Sequence, residues 1–125
     1  MNKSFICISI LLISSINSDY IKGIDFSSYK KRKINWNKVK NEVGFAIIRM
    51  GMGKDSVDVD FETNYKNAKA AGVQIGSYLY SYATDTAGAE AEANHALNLL
   101  QGKQFEWPIY YYIVADALNG NKMVM

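Results

Sequence analysis

The chain has 125 residues, of which 49% are hydrophobic and 21% charged, and its formal net charge at pH 7 is +2. The length predicts one domain, and the mixture of apolar, aromatic and charged residues excludes a disordered chain. The small net charge argues against a surface built for polyanions, so neither nucleic acid nor a membrane is an expected partner of the mature chain.

The first eighteen residues have the pattern of an export signal. Lys3 gives a positive start, and the apolar run 5–13 falls within the roughly 7–15 residues of a signal core, short of the roughly 20 that cross a bilayer. We expect cleavage near Ser18, with a buried first strand or an uncleaved anchor as the alternative. Cleavage leaves 107 residues without Cys7, the only cysteine. A secreted or lysosome-like location without disulfides is therefore predicted.

The mature chain, 19–125, reads as strands alternating with helices. In chain order, the predicted elements are strand Tyr20–Phe26, helix Ile34–Val43, strand Phe45–Met50, a helix capped by Asp58 or Asp60 and ended by Gly72, strand Val73–Tyr82, helix Ala87–Gln101 and strand Trp107–Val114. Apolar residues three and four apart indicate the helices, and continuous or alternating apolar runs indicate the strands. Gly44 and Gly102 are expected to close their helices, and Gly51 and Gly53 to end the second strand.

This alternation repeats about every 25–30 residues, which predicts βαβ units and a parallel sheet. The fold class is therefore α/β. Four parallel strands fit either a small open sheet or the N-terminal half of a (β/α) barrel, a fold that takes roughly 250 residues.

Several segments between Tyr20 and Tyr111 carry a family resemblance by their order and spacing. They are Gly23–Ser27, Ile34–Lys40, Phe45–Gly51, Asp60–Asn64, Ala71–Val73, Ile75–Ala83, the helix with Glu90 and Glu92, and Pro108–Tyr111. Together they resemble glycoside hydrolase family 25, the lysozymes of the Chalaropsis type. The chain from residue 19 to 125 is identified as a truncated member of that family.

The resemblance implies a secreted N-acetylmuramidase that needs no cofactor and acts on bacterial peptidoglycan. Its reaction is hydrolysis of the β-1,4 bond between N-acetylmuramic acid and N-acetylglucosamine. It also implies an irregular TIM-like barrel with parallel strands, whose site lies at the carboxyl ends of those strands. Asp25 matches the family's acidic residue at the end of the first strand and is the catalytic candidate.

The resemblance also implies an Asp-x-Glu pair after the Pro-Ile-Tyr-Tyr stretch, where this chain has Tyr112 and Val114. Glycoside cleavage needs one carboxyl group to protonate the leaving oxygen and a second negative group at the sugar carbon. Asp116 would reach the pair only through a bulge, and Val114 would still lack a carboxylate. Three interpretations stay open: a lysozyme lineage with impaired catalysis, a noncatalytic peptidoglycan-binding protein, and a fragment that does not fold.

Other side chains are candidates for substrate contact. Tyr78, Tyr80 and Tyr82 alternate onto one face of a strand, and Tyr80 and Tyr82 are close enough to its end to contact a sugar. Arg49, near the end of the second strand, is expected to bind substrate, to pair with Asp25 or to form a buried structural ion pair.

Two further features are expected to be unrelated to catalysis. His95, the only histidine, is predicted to lie on a solvated helix face, and with no cysteine in the mature chain no metal site is expected. The basic run Lys30–Lys33 predicts a solvated loop, with weak attraction to anionic wall polymers as the alternative.

Overall fold

A computed structural model describes residues 20–28 and 33–113 of the chain. Outside the described residues lie the predicted signal 1–18, Lys30, Lys31, Arg32, Val114 and Asp116. The elements are β1 (Gly23–Phe26), α1 (Trp36–Glu42), β2 (Phe45–Met52), β3 (Ser56–Val57), α2 (Phe61–Ala71), β4 (Gln74–Ser81), α3 (Thr86–Leu100) and β5 (Ile109–Ile113). All seven predicted elements are present, with bounds that differ by a few residues, and the short β3 is additional.

The sheet has the order β1-β2-β4-β5, and each neighbouring pair on this path is parallel. The short β3 pairs antiparallel with the end of β2. Because the parallel strands follow one another in chain order, the sheet winds as a barrel does, whereas a doubly wound sheet reverses its order at a switch point. The predicted α/β fold with parallel strands is confirmed.

One hydrophobic core lies between the sheet and the helices. Its buried members are Trp36, Ala46, Ile48, Met50, Phe61, Ala68, Val73, Ile75 and Leu79. Residues of α1, α2 and the sheet all belong to this cluster, and Ala96, Leu99 and Leu100 of α3 pack against it. All three helices therefore cover the same face of the sheet, and no helix of the described residues covers the opposite face.

Side chains and one glycine fix the helix ends. The Asn35 side chain accepts a hydrogen bond from the backbone N–H of Lys38 (3.1 Å) at the start of α1, and Asp85 accepts one from Gly88 (2.7 Å) at the start of α3. Gly72 ends α2 with φ of 74°, the left-handed conformation that glycine adopts without strain. The predicted end of α2 at Gly72 is confirmed.

The prediction that Gly44 closes the first helix is wrong, whereas the prediction that Asp60 caps the next helix is confirmed in position. Helix α1 ends at Glu42 with Val43 in an extended conformation, so Gly44 does not cap it. A Cβ on Gly44 would collide with the Ile21 side chain, so the glycine is needed for space. Asp60 is the N-cap residue of α2 but makes no side-chain cap bond.

The prediction that Gly51 ends the second strand is also wrong. Strand β2 continues through Gly51 to Met52, with a register shift between Arg49 and Gly51. This bulge places both Met50 and Gly51 on the helix side and returns Met52 to the open side. The turn is made at Gly53, which has φ of 60°.

Candidate functional site

The sheet face without helices is called the open face here. Side chains alternate along each strand, and residues in register on parallel neighbours point to the same side. The open face therefore carries Asp25, Ile47, Arg49, Met52, Tyr78, Tyr80, Tyr110 and Tyr112. Its rows run across the strands, so that Arg49, Tyr78 and Tyr110 form one row and Met52, Tyr80 and Tyr112 the next.

Two aromatic rings cover the amino end of the open face. Phe45 and Trp107 stack with ring centroids 3.9 Å apart, and the indole N–H of Trp107 donates to the Gln74 side chain (3.1 Å). Gly76 leaves room for this arrangement, since a Cβ there would lie 2.6 Å from the Pro108 carbonyl oxygen. The polar part of the face is thus at the carboxyl ends of the strands.

Asp25 lies on the open face, in register with Ile47 and one residue before the end of β1. It is exposed, and its negative charge acts on the hydroxyl of Tyr78. The catalytic candidate from the sequence is therefore on the same face as the tyrosines.

Tyr78 is half-buried beneath the end of this face. Burial raises the pKa of Tyr78 above its usual 10.0, and although the positive charge of Arg49 opposes the change, Asp25 adds to it. Tyr78 therefore keeps its proton at neutral pH and can both donate and accept a hydrogen bond.

Four tyrosines form a group at the carboxyl end of the open face, called the tyrosine cluster here: Tyr78, Tyr80, Tyr82 and Tyr112. The Tyr80 ring lies 5.3 Å from Tyr112 and 5.2 Å from Tyr82, and Tyr78 lies 6.1 Å from Tyr112. Tyr82 and Tyr112 are 61% and 45% exposed. The structure thus brings together the two predicted sugar contacts, Tyr80 and Tyr82, with the position where the resemblance implies a carboxylate.

A pocket of about 570 Å³ lies beside this cluster, at the carboxyl end of β4. Tyr82, Gly53, Asp55 and Asp85 are among its lining residues. It is continuous with the end of the sheet where parallel α/β proteins bind their ligands.

Arg49 forms an ion pair with Asp58, whose side chain is 1% exposed. The Nε of Arg49 donates to Asp58 at 2.8 Å, and its Nη2 donates to the Ser28 hydroxyl at 3.2 Å. Asp58 also accepts from the backbone N–H groups of Ser28 and Asp60, each at 3.0 Å. Of the three roles that the sequence left open for Arg49, the geometry therefore corresponds to a buried structural pair.

The prediction that Asp58 caps the following helix is accordingly incomplete. Its carboxylate does hold the N–H of Asp60, the N-cap residue, but its other bonds join the end of β1 to β2. These partners are distant in sequence, so the capping pattern could not reveal them.

A second buried carboxylate, Glu92 of α3, received no role from the sequence. Burial raises the pKa of Glu92, but hydrogen bonds from Tyr111, Ser81 and the backbone of Tyr82 and Ala83 outweigh this and leave it below its usual value. Glu92 is therefore ionised at neutral pH. Its spacing from Ala96 and Leu99, four and seven residues on, was the available sign that it faces the sheet.

The prediction for His95 is wrong, because its ring is partly buried against the sheet. Its Nε2 lies 3.1 Å from the carbonyl oxygen of Ser56 in β3. The contact depends on β3, a two-residue strand that the sequence did not predict.

Within 20–28 and 33–113, no three or more His, Cys, Asp and Glu side chains come together to form a metal-binding group. None of the helices in this part of the chain has the length and apolar character of a membrane span.

Comparison with known proteins gives one family match. The sequence profile described as Glycosyl hydrolases family 25 matches residues 24–116, which is more than half of the chain. No curated protein sequence matches the chain significantly.

Solved structures give a consistent result. The modular autolysin LytC from Streptococcus pneumoniae is similar with a TM-score of 0.69 and 33% identity, over 74% of this chain and 22% of LytC. A family 25 glycosyl hydrolase from Bacillus anthracis has a TM-score of 0.65 and 26% identity, over 75% of this chain and 42% of that one. A lysozyme from Streptomyces coelicolor has a TM-score of 0.58 and 30% identity, over 65% of this chain and 37% of that one. The chain thus spans between about a fifth and two fifths of these proteins.

Proposed function

The chain belongs to glycosyl hydrolase family 25, and on that premise we propose that it is a lysozyme-type protein that binds the glycan strands of bacterial peptidoglycan. Hydrolysis of the bond between N-acetylmuramic acid and N-acetylglucosamine is, in this proposal, impaired in the chain itself. The observation that carries both parts is Tyr112, which packs against Tyr80 on the open face where the resemblance implies a carboxylate.

Binding is supported by the chemistry of the tyrosine cluster. Tyrosine rings offer flat apolar faces for the C–H groups of a sugar, and their hydroxyls offer polar contacts at the rim. The neutral hydroxyl of Tyr78 and the carboxylate of Asp25 add a donor and an acceptor on the same face. LytC, one of the similar structures, has been solved with a synthetic peptidoglycan ligand, which supports the same ligand class for this chain.

Impaired hydrolysis is supported by the acids that the strands lack. Among the residues of β1, β2, β4 and β5, Asp25 is the only carboxylate. The phenol at Tyr112 supplies neither the carboxylic acid nor the carboxylate that glycoside cleavage needs. General acid catalysis alone accelerates such a reaction by about 10²–10⁴-fold, so the loss of this pair should reduce the rate at least that much.

The second candidate function is hydrolysis by this chain. Its support is the position of Asp25 at the carboxyl end of β1, on the face where a parallel barrel carries its chemistry. The two functions differ in one observable, which is the release of sugar reducing ends from cell walls.

We also propose that the chain is secreted, or delivered to a lysosome-like compartment, where it meets cell walls. The support is the pattern of residues 1–18, with Lys3 before an apolar run that ends near Ser18. Mass spectrometry of the exported protein should find its N-terminus close to Asp19.

Binding is tested by sedimenting the purified chain with insoluble peptidoglycan. We expect Tyr80→Ala to weaken binding about tenfold, as is usual for an aromatic residue at the centre of an interface. Tyr20→Ala removes a ring that is 98% exposed and lies outside the cluster, and should leave binding unchanged. Equal binding by the wild type and Tyr80→Ala would show that the cluster is not the binding face.

Catalysis is tested by the turbidity of cell-wall suspensions and by reducing-end release. The wild type should release nothing measurable, whereas Tyr112→Asp combined with Val114→Glu should gain lysis. Lysis by pure wild-type protein would contradict impaired hydrolysis. A urea titration of the same preparation separates these functions from the third interpretation, because a chain that does not fold would have no cooperative transition.

A further inference from the structure

Glu92 lies behind the sheet, on the side opposite to the open face, and is 2% exposed. Its Oε1 accepts from the backbone N–H of Tyr82 at 2.8 Å, and its Oε2 accepts from the Ser81 hydroxyl at 2.7 Å and from the Tyr111 hydroxyl. A buried charge is tolerated when such bonds satisfy it. A single carboxylate therefore joins α3 to the carboxyl ends of both β4 and β5.

The bonds of Glu92 lie beside the tyrosine cluster, two of them from side-chain hydroxyls and one from the backbone N–H of Tyr82. Tyr111 points toward α3, so the next residue, Tyr112, points to the open face. Tyr82 belongs to the cluster, and Glu92 holds its backbone N–H. The Tyr80 ring contacts the rings of Tyr82 and Tyr112. By holding Tyr82 and the residue before Tyr112, Glu92 therefore restricts the positions of both ring partners of Tyr80.

Strand β5 lies at the edge of the described sheet, where the bond to Glu92 adds to its pairing with β4. In the described part of the chain it pairs with β4 alone, and its five side chains are between 41% and 46% exposed. Half-exposed side chains contribute little burial energy to hold an edge strand in register. The bond from Tyr111 to Glu92 ties this strand to the helical layer.

We propose that Glu92 is a positioning residue for the tyrosine cluster: by holding Tyr111 and Tyr82, it keeps the Tyr112 ring against Tyr80. In this role Glu92 acts through its two tyrosine partners. The consequence for glycan binding rests on the proposed function, whereas the positioning of Tyr112 does not.

The test uses two variants that remove the attachment in different ways. Glu92→Gln removes the charge and keeps the size. Tyr111→Phe removes the hydroxyl that donates to Glu92 and accepts from the Ser81 hydroxyl at 2.8 Å. The matched control is Tyr65→Phe, which removes a hydroxyl that accepts from the backbone N–H of Gln104 at 2.9 Å, away from the open face. All are made in the full chain, and comparisons are made where urea titration shows each variant to be folded.

The first readout is the NMR signal of the Tyr112 ring, which the neighbouring Tyr80 ring shifts. Glu92→Gln and Tyr111→Phe should both move this signal, and Tyr65→Phe should leave it in place. The second readout is the dissociation constant for soluble peptidoglycan fragments. Both site variants should weaken binding about tenfold, the loss expected when a hydrogen bond to a charged group is removed. The double variant should lose no more than the larger of the two single losses.

The outcomes separate the two proposals. An unchanged Tyr112 signal in Tyr111→Phe, or an equal loss of affinity in Tyr65→Phe, would overturn the positioning role. If the wild type does not bind the fragments, the proposed function fails and the Tyr112 signal alone decides the role of Glu92. If Glu92→Gln does not fold, Tyr111→Phe carries the test.

Discussion

Asp58→Asn should destabilise the chain strongly, because Asp58 is a buried charge with a buried partner. Asp58 is 3% exposed and accepts three hydrogen bonds, from Arg49 Nε (2.8 Å) and from the N–H groups of Ser28 and Asp60 (3.0 Å each). The variant leaves the Arg49 side chain, 11% exposed, without its counter-charge. Removing one partner of a buried pair costs about 3–5 kcal/mol. Since asparagine keeps one acceptor oxygen, we expect the lower end, about 3 kcal/mol.

Urea unfolding followed by far-UV circular dichroism measures this loss. With a denaturant dependence of about 1–3 kcal/mol/M for a small domain, the midpoint should fall by about 1–3 M. Asp60→Asn is the matched control, because the Asp60 side chain makes no cap bond and its backbone N–H remains to donate to Asp58. Its unfolding free energy should change by less than about 0.5 kcal/mol.

Two results would refute the reasoning. One is a loss in Asp58→Asn no larger than that in Asp60→Asn. The other is strict additivity of Asp58→Asn with Arg49→Gln, since two partners of one pair should lose less together than the sum of their separate losses.

The remaining predictions concern pH and packing. Folding lowers the pKa of Glu92, so the stability that its carboxylate contributes is present above the usual pKa of 4.5 and is lost as pH falls through the folded value. The difference in unfolding free energy between wild type and Glu92→Gln should therefore be smaller at pH 3 than at pH 7. A constant difference would contradict this. Gly76→Ala places a Cβ 2.6 Å from the Pro108 carbonyl oxygen and 2.8 Å from an Ile47 methyl group; it should cost about 1–3 kcal/mol, measured by urea titration, and an unaltered midpoint would mean that β5 can shift freely. Phe61→Ala empties a fully buried site and should cost about 3–5 kcal/mol by the same measurement; a loss below 1 kcal/mol would contradict the described core.

The order and type of the elements could be predicted because they depend on local pattern. The continuous apolar run of β2 and the left-handed Gly72 after α2 carry their own explanation in neighbouring residues. The predictions that failed concern two glycines whose structural roles depend on contacts with other segments of the chain. Gly44 makes room for Ile21, and Gly51 lies against Ser56 and the α3 side chain of Leu99, contacts that no local pattern contains.

In the candidate site, too, local periodicity could be predicted and contacts between elements could not. The alternation of Tyr78 and Tyr80 follows from the period of a strand, and the register of β4 with β5 then adds Tyr112. The partners of Arg49 and Glu92 could not be predicted, because each carboxylate pair joins residues from different elements. A buried charge needs a partner, but the sequence does not show which residue that partner is.

The stacked pair of Phe45 and Trp107 has a spectroscopic consequence. The chain has two tryptophans, and the sheet separates them: Trp36 is buried beneath the helices, whereas Trp107 stacks on Phe45 on the open side, just before β5. In a Trp36→Phe variant the remaining indole emission would report only on the edge strand, and in Trp107→Phe only on the helical layer. Fluorescence can thus time the detachment of β5 separately from the loss of the core.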